Sequence, residues 1–144
     1  MQRVMCNAGM ASRVMGSGSA GGAMTKTFLV VDDSSSMRQL VAFAVKGAGY
    51  DVVTAASGNE AVEKLSEGKF DMVITDLNMP EMDGIELIRS LRTLPDYKFV
   101  PIIMLTTESQ EAKKQEGRLA GASGWIVKPF SPERLLDVVR RFIK

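Results

Sequence analysis

The stretch FDMVITDLNMPEMDG runs from Phe70 to Gly84. Its apolar run, Met72-Val73-Ile74-Thr75, ends on a carboxylate, Asp76, and the chain then meets Pro80 and Gly84. A short apolar run bounded by turn residues reads as a buried strand. Asn78, Pro80 and Gly84 supply the chemistry of the turn that follows. Turn chemistry does not account for a charge on the strand's last residue. Alone, Asp76 reads equally well as a cap for the next helix, so its meaning depends on what the rest of the chain brings beside it.

Working outward, the same unit recurs. FLVV (Phe28 to Val31) is another short apolar run, followed by Met37, Leu40, Val41, Ala44 and Ala48 at helical spacing and by Gly49 as a stop. Next come a strand in DVVTA, a helix carrying Ala61, Val62 and Leu65, and the strand MVIT. A helix with Leu87, Ile88 and Leu91 leads to the strand in PIIML. Residues Glu108 to Leu119 are polar, with Ala112 and Leu119 as apolar anchors beside Gly117, so this helix is expected to be marginal and largely exposed. GWIV is the last strand, and the final helix carries Leu135, Val138, Val139 and Phe142 inward, with Arg140, Arg141 and Lys144 complementing its C-terminal dipole. Five strands alternating with five helices predict an α/β fold, a five-stranded parallel sheet doubly wound by helices on both faces.

Composition narrows the function. The 144 residues are 45% hydrophobic and 24% charged, which suits one domain with a substantial core. A formal net charge of +1 gives no basic footprint for nucleic acid, so direct DNA binding is not expected. No apolar run approaches the ~20 residues of a membrane span. Cys6 is the only cysteine, which excludes an internal disulfide and fits a reducing cytoplasm. The absence of histidine excludes Ser-His-Asp and Cys-His catalysis, His-ligated zinc and a phosphohistidine carrier. Residues 1–23 hold five of the thirteen glycines and no periodic apolar pattern, and read as a disordered tail or start-site extension ahead of a domain spanning 24–144.

In an open α/β sheet, ligands bind beyond the carboxyl ends of the strands. There this sequence places Asp32-Asp33 after the first strand, Asp76 on the third, Thr106-Thr107 on the fourth and Lys128-Pro129 after the fifth. Individually, Asp33 could cap the helix that starts near Ser34 to Ser36, the threonines could be ordinary strand formers, and Lys128 a surface amine. Jointly, three carboxylates, a hydroxyl and an ammonium converge on one sheet edge. Two like charges ~4 Å apart repel by ~4 kcal/mol at an effective dielectric near 20. An acidic cluster of oxygen ligands therefore calls for a hard cation such as Mg²⁺, and with it a phosphate-bearing substrate.

Four segments, VVDDSSSMR, VITDLNMPEMDG, IIMLTT and GWIVKPF, occur in the order found in response regulator receiver domains, and from Lys26 to Lys144 the chain resembles that family, most of all its stand-alone chemotaxis receivers of the CheY-like type. The resemblance implies a flavodoxin-like strand order of 2-1-3-4-5. It implies that Asp76 is the phosphoacceptor, taking a phosphoryl group from a phosphohistidine of a sensor histidine kinase. Mg²⁺ would be held by Asp33, Asp76 and the Asn78 backbone carbonyl, with Asp32 assisting, while Lys128 and Thr106 contact the phosphoryl group. Thr106 and Trp125 occupy the switch positions, where Trp125 replaces the family's usual tyrosine or phenylalanine and reads otherwise as a partly buried core aromatic. Asn78 and Glu108 fall where dephosphorylation is modulated; as bare residues they read as a turn and a helix cap.

The function implied is a cytoplasmic, monomeric signalling phosphoprotein, not an enzyme acting on an external substrate, that switches binding to an output protein such as a flagellar motor switch or chemosensory component. The alternatives are a phosphorelay intermediate or phosphate sink, or the isolated receiver domain of a larger regulator. From other classes, a flavin carrier is disfavoured by the acidic pair after the first strand, and a phosphatase with an aspartate nucleophile would turn over external phosphoesters.

Overall fold

Strands and helices alternate as the apolar pattern requires in the computed structural model, which describes residues 25–107 and 111–143. In chain order they are β1 (Thr27–Val31), α1 (Ser35–Gly47), β2 (Asp51–Ala55), α2 (Gly58–Leu65), β3 (Met72–Asp76) and α3 (Gly84–Arg92). A 3-10 turn (Pro95–Tyr97), β4 (Ile102–Thr106), α4 (Glu111–Ala120), β5 (Gly124–Val127) and α5 (Pro132–Phe142) follow. The segment 1–23 expected to be a tail lies outside the described residues.

The strands form one parallel sheet in the order β2-β1-β3-β4-β5, as the resemblance implied. Every residue of β3 and β4 is buried, which is why these segments read as continuous apolar runs rather than alternating ones. β2 lies at the edge, and only its Ala55 is buried. Side chains of the central strands split between two cores. One joins Leu29, Val31, Val73 and Met104 to Leu87 and Leu91 of α3; the other joins Phe28, Ile74 and Leu105 to Val41 of α1 and Leu135 of α5.

Three expected apolar anchors are displaced. α1 buries Val41, Ala44 and Val45 but leaves Leu40 at 41% exposure, because Leu40 sits about 100° around the helix from Val41. Leu119 is 85% exposed and Ala112 is exposed, so neither anchors α4. That helix instead seats Gly117 against Met104, whose Cε lies only 2.7 Å from where a Cβ would stand.

The chain runs from β1 outward to β2 and then returns past β1 to β3, so the crossovers leave β1 in opposite directions. Such a reversal opens a crevice at the carboxyl ends of β1 and β3, and it brings Asp32 and Asp76 to the same place. The turn after β3 is tightly fixed there. Asp83 caps α3 in a reciprocal capping box with Glu86, and Gly84 N–H donates to the Leu77 carbonyl at 2.9 Å. A Cβ on Gly84 would stand 2.3 Å from the Asp76 carbonyl oxygen, a backbone atom that cannot rotate aside. Gly84→Ala should therefore destabilise the fold by about 2–4 kcal/mol, read as a lower denaturation midpoint. An unchanged midpoint would show that the β3–α3 turn relaxes freely.

Candidate functional site

Asp76 is the last residue of β3 and pairs in register with Leu105, so Thr106 lies one residue further along the neighbouring strand. Asp32 follows β1 directly and is 1% exposed. Its backbone N–H donates to the Ala55 carbonyl at 3.1 Å, extending the β1–β2 pairing by one residue. Its carboxylate Oδ1 accepts from Ser34 N–H at 2.9 Å, and its carbonyl accepts from the Arg38 guanidinium at 2.7 Å. Asp32 is thus held by backbone and side chain alike. Ser34, not Asp33, caps α1, accepting from Met37 N–H at 3.3 Å. Asp33 is exposed at the crevice and takes no part in that cap.

Lys128 leaves the end of β5, where its N–H donates to the Thr106 carbonyl at 2.6 Å; the peptide bond to Pro129 is cis. The ammonium donates to Asp76 Oδ1 at 3.1 Å and to Asp32 Oδ2 at 3.3 Å. One cation therefore bridges the ends of β1 and β3. Asp32, Asp33 and Asp76 each place a carboxylate oxygen within 4.8 Å of the others. Burial and the neighbouring Asp32 carboxylate raise the Asp76 pKa above its ordinary value of 3.8; Lys128 opposes that rise, and Asp33 adds to it.

Burial disfavours the ionised Asp76 carboxylate first of all, and Asp32 and Asp33 add repulsion that Lys128 only partly opposes. An all-oxygen donor set in that condition fits a hard divalent ion such as Mg²⁺, held by Asp33 and Asp76 with Asp32 beside them. Asn78 lies two residues beyond Asp76 in the β3–α3 turn and is exposed. Thr106 is 2% exposed at the end of β4. Trp125 is half-buried, packed against the core that contains Met104, its register partner on β4. Glu108 lies outside the described residues.

Two groups at or near the site escaped the sequence reading. Arg38 supports Asp32 from the first turns of α1, a role that six residues of separation did not reveal. Lys114 and Arg118 stand over the Trp125 ring, 5.5 and 5.8 Å from its centroid. Their spacing of four residues on a polar helix reads as an ordinary solvated face until the fold sets that helix beside β5.

Residues 28–140 match the family described as the response regulator receiver domain. The chain is 45% identical over 111 residues to chemotaxis protein CheY1 of Helicobacter pylori, covering 76% of this chain and 90% of that protein. It is 37% identical over 121 residues to the alkaline phosphatase synthesis transcriptional regulatory protein PhoP of Bacillus subtilis, covering 84% of this chain but 50% of that longer protein. Among solved structures, chemotaxis protein CheY4 of Vibrio cholerae is 49% identical with a TM-score of 0.81, covering 83% of this chain and all of that one.

Replacing Asp76 by asparagine removes the charge that burial and Asp32 disfavour while keeping the side chain's shape. A carboxyl whose folded-state pKa is raised opposes folding once ionised, and the penalty builds as pH climbs from about 3.8 through the raised value. Metal-free Asp76→Asn should therefore melt higher than the parent at neutral pH, by about 4 °C if ~1 kcal/mol is recovered. The difference should shrink toward zero on acidification. A mutant that melts lower at neutral pH would mean that the lost Lys128 contact outweighs the relieved repulsion.

Proposed function

The chain belongs to the response regulator receiver domain family, of the CheY-like type, and from that premise we propose that Asp76 accepts a phosphoryl group from a histidine kinase and that the product switches protein binding. The observation that carries this reading is the buried Asp76 carboxylate bridged by Lys128 to Asp32 at the crevice of the sheet.

A carboxylate oxygen of Asp76 forms the new P–O bond while the P–N bond to the donor's imidazole breaks, the electron pair remaining on the imidazole nitrogen. The Lys128 ammonium, already 3.1 Å from Asp76 Oδ1, faces the charge on the transferring group. Asp33, Asp76 and the Asn78 carbonyl, with Asp32 assisting, would hold Mg²⁺, which when bound adds positive charge beside the phosphoryl oxygens. Burial of Asp76 excludes water from the nucleophile and strengthens each of these interactions. Afterwards the Thr106 hydroxyl binds a phosphoryl oxygen, a contact made only in the phosphorylated state and therefore able to bias a two-state equilibrium.

The names of the relatives in Helicobacter pylori and Vibrio cholerae support a chemotaxis role, and with that role we propose a flagellar motor switch or chemosensory protein as output partner and the cytoplasm as its location. In this reading the protein catalyses only its own phosphorylation and dephosphorylation. The similarity to PhoP favours a second reading, a receiver working within a larger regulator. A role as relay intermediate or phosphate sink shares the same chemistry and differs in having no output partner. Among the described residues no helix is long and apolar enough to cross a membrane.

Incubation with acetyl phosphate and Mg²⁺ should add one phosphoryl group by mass spectrometry, and Asp76→Asn should abolish it. Equal labelling of that mutant removes Asp76 from the role. Trp125, the chain's only tryptophan, provides a second readout. Its emission should shift on adding Mg²⁺ with beryllofluoride, and Thr106→Ala should blunt the shift while beryllofluoride still binds. A constant spectrum with confirmed binding would make Trp125 a fixed core residue.

A further inference from the structure

The helix α4 is poorly equipped to stay on the sheet by apolar burial. Its Leu119 is 85% exposed, Ala112 is exposed, and Gly117 contributes contact without a side chain of its own. Lys114, Gly117 and Arg118 stand at i, i+3 and i+4 and so share one face. Gly117 brings the backbone against Met104 of β4, and Met104 pairs in register with Trp125 of β5. The close approach at Gly117 thereby sets the two flanking cations over the indole, at 5.5 and 5.8 Å from the ring centroid. Both distances lie within the range of attraction to the negative face of an aromatic ring, and tryptophan is the strongest such partner.

Trp125 and Thr106 belong to one face of the sheet, since Met104 and Thr106 of β4 pair with Trp125 and Val127 of β5. A displacement of the indole away from α4 withdraws it from the two cations.

We propose that Lys114 and Arg118 form a cation–π latch on Trp125 that ties α4 to β5 and sets the resting position of the switch. The proposal rests on the phosphoacceptor reading above for its second half, and on geometry alone for its first. The latch stabilises the resting arrangement, in which the indole lies against α4. A phosphoryl group that draws Thr106 toward Asp76 favours the other arrangement and must first overcome the latch. Weakening the latch raises the population of the competent state, and apparent affinity rises by the same factor.

The test compares the parent, Lys114→Gln/Arg118→Gln, and Lys114→Arg, which retains the charge. In metal-free protein the double variant should show about fivefold faster amide hydrogen exchange across Glu111–Ala120 and greater quenching of Trp125 by acrylamide. With Mg²⁺ and beryllofluoride, the midpoint followed by fluorine NMR should fall about fivefold. Lys114→Arg should match the parent in every arm. Unchanged exchange and quenching would overturn the latch itself. Faster exchange with an unmoved or raised beryllofluoride midpoint would overturn its coupling to the switch. If the parent binds no beryllofluoride, the phosphoacceptor reading fails and takes the coupling with it, while the metal-free measurements still decide the latch.

Discussion

One ammonium, that of Lys128, holds two carboxylates from different strands at the open end of the sheet. Three carboxylates gather there, two of them buried, and the ammonium pairs with both buried ones. A buried charge is tolerable only when paired and hydrogen-bonded. Asp32 meets that requirement through Lys128 and Ser34 N–H, and Asp76 through Lys128. The ion pairs form only if β1, β3 and β5 end at the same level, so the shared ammonium depends on the whole register of the parallel sheet. Conversely, the sheet gains nothing in packing from these groups. Their cost is retained at a functional crevice, which is where charge without structural benefit is expected.

The parts of this architecture that were legible in the sequence are those where local and long-range demands agree. β3 and β4 are buried on both faces and read as unbroken apolar runs, so their existence followed directly from residue type, though β4 runs one residue later than PIIML, from Ile102 to Thr106. The convergence of Asp32, Asp33, Asp76, Thr106 and Lys128 followed from placing each at a strand end, because the crossover geometry of a parallel sheet sends all such ends to one side. The strand order did not follow from periodicity, which carries no information about which strand lies beside which; it came from the family resemblance.

Positions that misread share a different cause. Leu40 and Leu119 are apolar residues on helices whose buried face is set by a neighbour, not by the helix's own pattern. In α1 the stripe through Val41, Ala44 and Val45 meets the sheet and α5, leaving Leu40 to one side. In α4 the sheet is met by a glycine, the residue least visible to any count of hydrophobicity. The capping role open to Asp33 went to Ser34, and that choice depends on one residue's backbone angles, beyond what residue type can settle. Arg92 shows the same limit. Its guanidinium donates to the carbonyls of Tyr97, Val100 and Gly121, joining the end of α3 to the turn after α4, and only the folded chain brings those acceptors together.

These anchors give α4 an uneven attachment. At its C-terminal end, Arg92 holds the Gly121 carbonyl through two donors, at 3.0 and 2.6 Å, and Gly121 itself has φ +118, where a side chain would also meet Arg92. Burial lowers the Arg92 pKa, yet a guanidinium remains protonated in proteins, so this staple is indifferent to physiological pH. Further toward the N-terminus the helix packs beside α3 and meets the sheet through Gly117 and two cations over one indole, contacts individually weaker than charge-assisted hydrogen bonds. The light contact is made to Trp125, which shares a face of the sheet with Thr106, so the indole is the point where the end of β4 and the middle of α4 come under one constraint.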